Sequence, residues 1–324
     1  MQGFSNDLIM VGEERLMTIN QCKALYIKLG KEDEYVKECI YSEQPLLKLG
    51  YEEIDHDNCL KGDWEKVRTK LVSRKNNDTG AITDHIRQIR LFYEAGDNVL
   101  WITFHANLLW WCFSKREITL LPQNTKVRPV IDKWSCNDIK GDLLQMDQLS
   151  SSLTSVHAYR GTICTVKASK YLFDKINGII TKEIEDIQAK LSELEKKLEI
   201  IINNLHWKDF EILIDLIFRQ AGWQRVSILG DTQKSLDLVL LSPITAEKYG
   251  VQVKSRASLE HFKKFQSDCH DMQGYSKFYF VVHNSSPELK NIKQDNMFEL
   301  ILSSKIAHLV VKHGLTEWII SKGG

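Results

Sequence analysis

Hydrophobic spacing divides the chain before any composition is considered. From Thr181 to Leu205, apolar residues fall at Ile184, Ile187, Leu191, Leu194, Leu198, Ile201 and Leu205, a 3-4-3-4 alternation. The positions between are mostly Lys, Glu, Asp and Gln, and no Pro or Gly interrupts them. The pattern predicts one helix with a seam of period 3.5, about three heptads and on the order of 35 Å long. Such a seam suits a two-stranded coiled coil that pairs two copies of the chain through residues 181–205. A connector helix lying on its own chain carries the same pattern.

On either side of this helix the texture differs. Residues 1–60 predict short amphipathic helices, for example Thr18–Leu29 ending at Gly30. Residues 45–170 predict mainly strands, with Val99–Phe104 after Gly96-Asp97, Leu108–Phe113 after Asn107, and Val130-Ile131 after Pro129. One helix, around Ile82–Tyr93, interrupts them. Beyond the seam the order is helix (Trp207–Ala221), strand, strand, helix, strand, helix, which predicts an α/β domain with a mixed sheet flanked by helices. Three regions follow: 1–170, a linking helix over 171–203, and 204–324.

Composition narrows the function classes. The chain has 324 residues, with 43 Lys+Arg against 43 Asp+Glu. Zero net charge removes a bulk basic field as an argument for nucleic acid, though a local patch serves as well. The longest apolar runs fall far short of the roughly 20 residues that cross a bilayer. The first residues show no export signal. The seven cysteines are scattered, without a Cys-x-x-Cys pair, so a disulfide framework or structural zinc is not expected and a cytoplasmic location is. No phosphate-binding Gly-x-x-x-x-Gly-Lys-Ser/Thr loop appears, so the chain carries no motor of its own and a separate motor subunit is left open.

The chemistry-bearing residues lie after the seam. Glu211 sits in the predicted helix from Trp207. Asp237 leads the apolar strand Leu238-Val239-Leu240-Leu241, and Gln252 and Lys254 lie in Val251-Gln252-Val253-Lys254. Two apart on a strand, Gln252 and Lys254 share one face while Val251 and Val253 take the other. Phosphodiester hydrolysis needs a hard divalent ion on oxygen ligands. A carboxylate and a glutamine carbonyl supply such ligands. A nearby lysine can orient the attacking water or, as its free amine, deprotonate it, and as the ammonium it can offset charge on phosphorus.

The set Phe210-Glu211, Ala221-Gly222-Trp223, Gly230-Asp231, Asp237 and Val251-Gln252-Val253-Lys254 resembles the Mrr-like restriction endonucleases over residues 203–285. These are a branch of the PD-(D/E)xK superfamily in which Gln-x-Lys replaces acid-x-Lys. The resemblance implies Glu211 as a helical carboxylate and metal ligand, Asp237 as main ligand, Gln252 as second ligand and Lys254 as catalytic lysine. Mg²⁺ is the implied cofactor, with Mn²⁺ as a substitute. The stretch from Gly230 to Asp237 lacks the family's second glycine, so Asp231 stays beside Asp237 as an alternative ligand. Asp237 is favoured because it leads the apolar strand. Gln266, Arg256, Lys263 and Lys264, in or before the helix His261–His270, are candidates for contact with DNA.

Before the seam, Trp101, Phe104, Trp110, Trp111 and Phe113 crowd into a short stretch. Alternation sends Trp110 to one face and Trp111 with Phe113 to the other. The segment from Phe92 through Gly96-Asp97 to Trp101, followed by Leu109–Phe113, resembles PUA-like β-barrels of the EVE and ASCH kind. That resemblance implies an N-terminal α+β domain with a pocket for one flipped-out base. The cage candidates are Trp64, Trp101 and Trp111, with Asp97 and Thr103 as edge readers. Tryptophans that fill a barrel core give the same pattern. Lys66, Arg68, Lys70, Arg74 and Lys75, with His85, Arg87 and Arg90 further on, predict a DNA-facing loop or a solvated helix face.

The combined expectation is a Mg²⁺-dependent endonuclease acting on double-stranded DNA that carries modified cytosine, a type IV restriction enzyme working as a homodimer away from membranes. A repair or junction-resolving nuclease that reads DNA shape is the alternative within nucleases. A catalytically silent nucleic-acid-binding defence component is the alternative outside them.

Overall fold

The computed structural model describes residues 18–72, 79–226, 235–292 and 295–323. Its contacts separate two compact units, one up to Thr181 and one from Lys182. Arg74, Lys75, Gly230 and Asp231 lie outside the described residues. No described helix is long and apolar enough to cross a membrane.

The first unit contains β1 (Ala24–Ile27), α1 (Val36–Ile40), β2 (Leu46–Leu49), α2 (His56–Lys61), α3 (Trp64–Val72), α4 (Thr79–Glu94), β3 (Leu100–His105), β4 (Leu108–Ser114), β5 (Thr119–Leu120), β6 (Lys126–Ser135), α5 (Ser151–Thr154), β7 (Ile163–Thr165) and α6 (Ser169–Ile176). Its sheet runs β2-β6-β4-β3-β1-β7, with β5 beside β6, and curls into a half-barrel. β1 and β3 are parallel, with Leu25 opposite Trp101; the other pairs are antiparallel.

Both faces of the central strands are covered. Leu25, Ile27, Trp101 and Cys112 pack into one cluster with α4, and Ala24, Tyr26, Leu100 and Ile102 into another with α6. This explains a difference from the sequence expectation. Ala24–Ile27 is a strand rather than the end of a helix, because a strand buried on both faces presents a continuous apolar run whose period local pattern does not disclose. The basic stretch also differs. Lys66, Arg68 and Lys70 lie on α3 rather than in a loop. Lys66 pairs with Asp63 at 2.6 Å, Lys70 with Asp55 at 3.6 Å, and Arg68 donates to Thr83 Oγ1.

The second unit contains α7 (Lys182–Asn204), α8 (Trp207–Gln220), β8 (Gln224–Arg225), β9 (Leu238–Leu241), β10 (Lys248–Ala257), α9 (Leu259–His270), β11 (Tyr275–Ser285), β12 (Phe298–Ile301), α10 (Ser303–Lys312) and α11 (Thr316–Lys322). Its sheet runs β12-β11-β10-β9-β8. The β10-β11 and β11-β12 pairs are parallel and the β9-β10 and β8-β9 pairs antiparallel, the mixed sheet that the order of elements predicts. At Gly250 on β10 an added Cβ would lie 2.6 Å from the Phe278 ring, so only glycine lets β11 close against β10 there.

The seam helix splits its labour. Leu198 and Ile202 are buried in the second unit's own core, with Leu194 and Ile201 against it. Ile184, Ile187 and Leu191, in the first half of α7, are exposed. The expected linker 171–203 is thereby shared out: α6 packs within the first unit and α7 within the second.

His283 on β11 is buried, stacks on Phe210 with ring centroids 4.3 Å apart, and donates from Nε2 to the Ile202 carbonyl. Burial lowers its pKa below the ordinary 6.5, against the opposing pull of that carbonyl. The unfolded chain therefore takes up this proton more readily, and stability is lost as pH falls through about 6.5 and below. We expect the urea midpoint of the full chain to drop between pH 7.5 and 5.5. A His283→Gln chain should lose less over the same interval; an equal loss in both would dismiss His283 as the group responsible.

Candidate active site

α8 forms because apolar residues recur at helical spacing: Phe210, Leu213, Ile214, Ile217 and Phe218 are its buried residues. His206 caps its start, accepting the Lys208 N–H. Lys208, Glu211 and Asp215, at i, i+3 and i+7, share a flank of this helix. All three line a cavity of about 400 Å³, together with Asp237, Arg225 and Val253.

Asp237 is fixed twice to β10. Its backbone N–H donates to the Val251 carbonyl at 2.8 Å, and its Oδ2 accepts the Val253 N–H at 2.7 Å. A residue just before β9 is thus held abreast of Gln252. Partial burial first, and then the Asp237 carboxylate, raise the Glu211 pKa, with Lys208 opposing. The two carboxylates therefore sense each other across one cavity, and protonation or a cation relieves their repulsion.

Of the predicted set, Glu211 and Asp237 come together. Gln252 and Lys254 are half-buried and alternate with Val251 and Val253, which pack in the core with α8. The cavity wall on β10 is Val253, not Gln252 or Lys254. Asp215 was not singled out in the sequence. It pairs with Arg219 at 2.8 Å and Arg225 at 3.6 Å, while its Oδ1 makes no hydrogen bond among the described residues. The signal was an acid four residues after Glu211 on an amphipathic helix.

Arg256, Lys263 and Lys264 are exposed, and Gln266 Nε2 reaches Asp295 Oδ2 at 3.5 Å. Among the described residues no three His, Cys, Asp or Glu side chains are grouped as a metal would need. Two hard oxygen donors that repel each other nonetheless suit a hard divalent ion, provided an amide or backbone oxygen completes the set.

The five predicted base-pocket residues are not brought together. Trp101 is fully buried with the Arg128 guanidinium 5.7 Å from its ring. Trp64 packs edge-on to Tyr93, Trp111 donates from Nε1 to the Asn137 carbonyl, and Asp97 is exposed. Thr103 alone of the five lines a cavity of about 680 Å³ in this unit.

Comparison with known proteins bears on the second unit. Residues 202–310 match the model of the Mrr_cat restriction endonuclease family. A search of curated proteins finds no match. Among solved structures, the MspJI restriction endonuclease in complex with a 27-mer oligonucleotide aligns over 74% of this chain and 67% of that one, at 12% identity and a TM-score of 0.24.

Proposed function

We propose that this chain is a metal-dependent DNA endonuclease that cuts DNA carrying modified cytosine, a type IV restriction enzyme. The observation that carries the nuclease reading is the pair Glu211 and Asp237, facing one cavity inside the segment that matches a restriction endonuclease family. Glu211 and Asp237 would hold Mg²⁺, or Mn²⁺ in its place, with the side-chain carbonyl of Gln252, which stands abreast of Asp237 on β10 although it does not line the cavity, as third donor. The ion supplies Lewis acidity to the scissile phosphate and lowers the pKa of the attacking water. Asp237 is oriented for this by the Val253 N–H. Lys254 positions the water and takes up its proton, and Lys208, in the cavity wall, offsets phosphate charge.

Arg256, Lys263 and Lys264 approach the DNA backbone, with Gln266 beside them. One such site cuts one strand, so a duplex break calls for two copies. The exposed Ile184, Ile187 and Leu191 on α7 are the surface through which they pair.

The test is cleavage of one plasmid in four forms: unmodified, 5-methylcytosine, hydroxymethylcytosine and glucosylated, each with Mg²⁺, Mn²⁺ or EDTA. Metal-dependent cutting of one modified form is expected. Equal cutting of all four would keep the nuclease and discard the modified base. Preference for branched duplexes would instead favour the junction-resolving alternative.

A further inference from the structure

Arg225 is brought to the proposed site by strand register. Along the edge of the second unit's sheet, Trp223 and Arg225 are half-buried while Gln224 and Val226 are exposed. Arg225 on β8 stands opposite Leu240 on β9, and facing residues of an antiparallel pair share one side of the sheet. Leu240 is buried in the cluster that includes the apolar side of α8. The side chain is thereby delivered to the α8 side, where Arg225 lines the cavity of Glu211 and Asp237.

Asp215, one turn after Glu211 on α8, holds the arginine there. Its Oδ2 pairs with Arg219 Nε at 2.8 Å, and its Oδ1 lies 3.6 Å from Arg225 Nη1. That Oδ1 is buried and makes no hydrogen bond among the described residues. At such a length the contact is an ion pair and not a hydrogen bond. A partly buried pair of this kind adds little to stability, because desolvation offsets the attraction. What it fixes is the position of the guanidinium, without spending one of its donors on Asp215. Asp215 does not read as a third metal ligand. Both of its oxygens face arginines, and among the described residues no three acidic groups are placed together for a metal.

The charges around the cavity call for one anion. Its wall carries three carboxylates, Glu211, Asp215 and Asp237, and two cations, Lys208 and Arg225. A divalent ion would leave one positive charge in excess, which one phosphodiester neutralises. We propose that Arg225 holds the phosphate that is cut, through a non-bridging oxygen, and that Asp215 is its positioning residue. The inference rests on the reading of this unit as a metal-dependent nuclease. Lys208 draws the phosphate as a point charge. The planar fork of Arg225 also sets its orientation and meets the charge that grows on it in the transition state.

The experiment pairs binding with cutting on the full chain. Affinity for a labelled duplex carrying 5-methylcytosine is followed by fluorescence anisotropy, with Ca²⁺ in place of Mg²⁺, over a series of salt concentrations. Arg225→Gln should weaken binding about fivefold and lower the slope of log affinity against log salt by about one, the loss of one phosphate contact. In Mg²⁺ its single-turnover cleavage of plasmid should fall on the order of 10²-fold. Arg225→Lys, which keeps the charge but not the fork, should keep the slope and still cut about tenfold more slowly. Asp215→Asn should slow cutting about tenfold in the parent chain but by less than about twofold in the Arg225→Gln chain. A residue that acts through Arg225 has nothing left to position once the arginine is gone. An unchanged slope in Arg225→Gln, with cutting within about threefold of the parent, would overturn the proposal. So would an Asp215→Asn loss of the same size in both chains, which would give Asp215 a role of its own. A slope that falls with Arg225→Gln in a protein that never cuts would count against the nuclease reading alone and keep the phosphate contact.

Discussion

Asp237→Asn should reduce metal-dependent cleavage by on the order of 10³-fold while leaving DNA affinity in EDTA within about threefold. The substitution is chosen for what it preserves. An asparagine Oδ1 can still accept the Val253 N–H that Asp237 Oδ2 accepts at 2.7 Å, so β9 stays locked to β10 and only the charge is lost. Removing that charge also removes the second-largest influence raising the Glu211 pKa. A cavity that held two mutually repelling carboxylates then holds one, and its attraction for a divalent ion falls steeply. Lys254→Ala should abolish cutting as well, but without weakening metal binding measured by calorimetry. Undiminished cutting by a folded Asp237→Asn, Lys254→Ala chain would remove both residues from the proposed site.

How much of this was legible depended on whether the information was local. Glu211 and Asp237 could be placed because each lies at a fixed offset from an apolar element, α8 or β9, and both do line one cavity. The alternation of Gln252 and Lys254 with Val251 and Val253 is likewise a property of one strand, and the two valines are buried with α8. The outcome differs where the deciding partner is distant. Whether a tryptophan is core or cage depends on what covers the other face of its strand. At Trp101 the cover is Phe92 on α4 and Arg128 on β6, neither adjacent in sequence. The 680 Å³ cavity joins segments near residues 26–35, 50–53, 103–104 and 157–162, and no window of sequence contains that conjunction. The seam of α7 was legible as a period but not as a partner. Its second half is spent on its own unit, where Glu199 accepts from Ser303 and Glu195 meets His308.

Arg128→Met should destabilise the first unit by about 3–5 kcal/mol, the largest stability effect expected of a single substitution there. In sequence, Lys126-Val127-Arg128 looks like a solvated basic strand, yet both cations are fully buried. Arg128 donates from Nη1 to the Phe92 carbonyl at 2.6 Å, from Nη2 to the Ala95 carbonyl at 3.0 Å, and from Nε to the Lys115 carbonyl at 3.0 Å. Two of those acceptors lie at the end of α4, where helix carbonyls lack partners and the helix dipole favours a cation. The guanidinium also lies 5.8 Å from the Phe92 ring centroid and 5.7 Å from that of Trp101. Burial pushes its pKa down to about 10, so it remains charged at neutral pH and stays committed to these acceptors. Methionine fills similar space but strands three carbonyls, those of Phe92 and Ala95 in buried surroundings. Its thermal transition, followed by circular dichroism, should fall on the order of 10 °C. Arg128→Lys keeps the charge but offers a point donor in place of a planar fork, so it should recover only part of the loss. A fall of less than about 2 °C for Arg128→Met would mean that water reaches these carbonyls and that the buried fork does not hold α4 against β6.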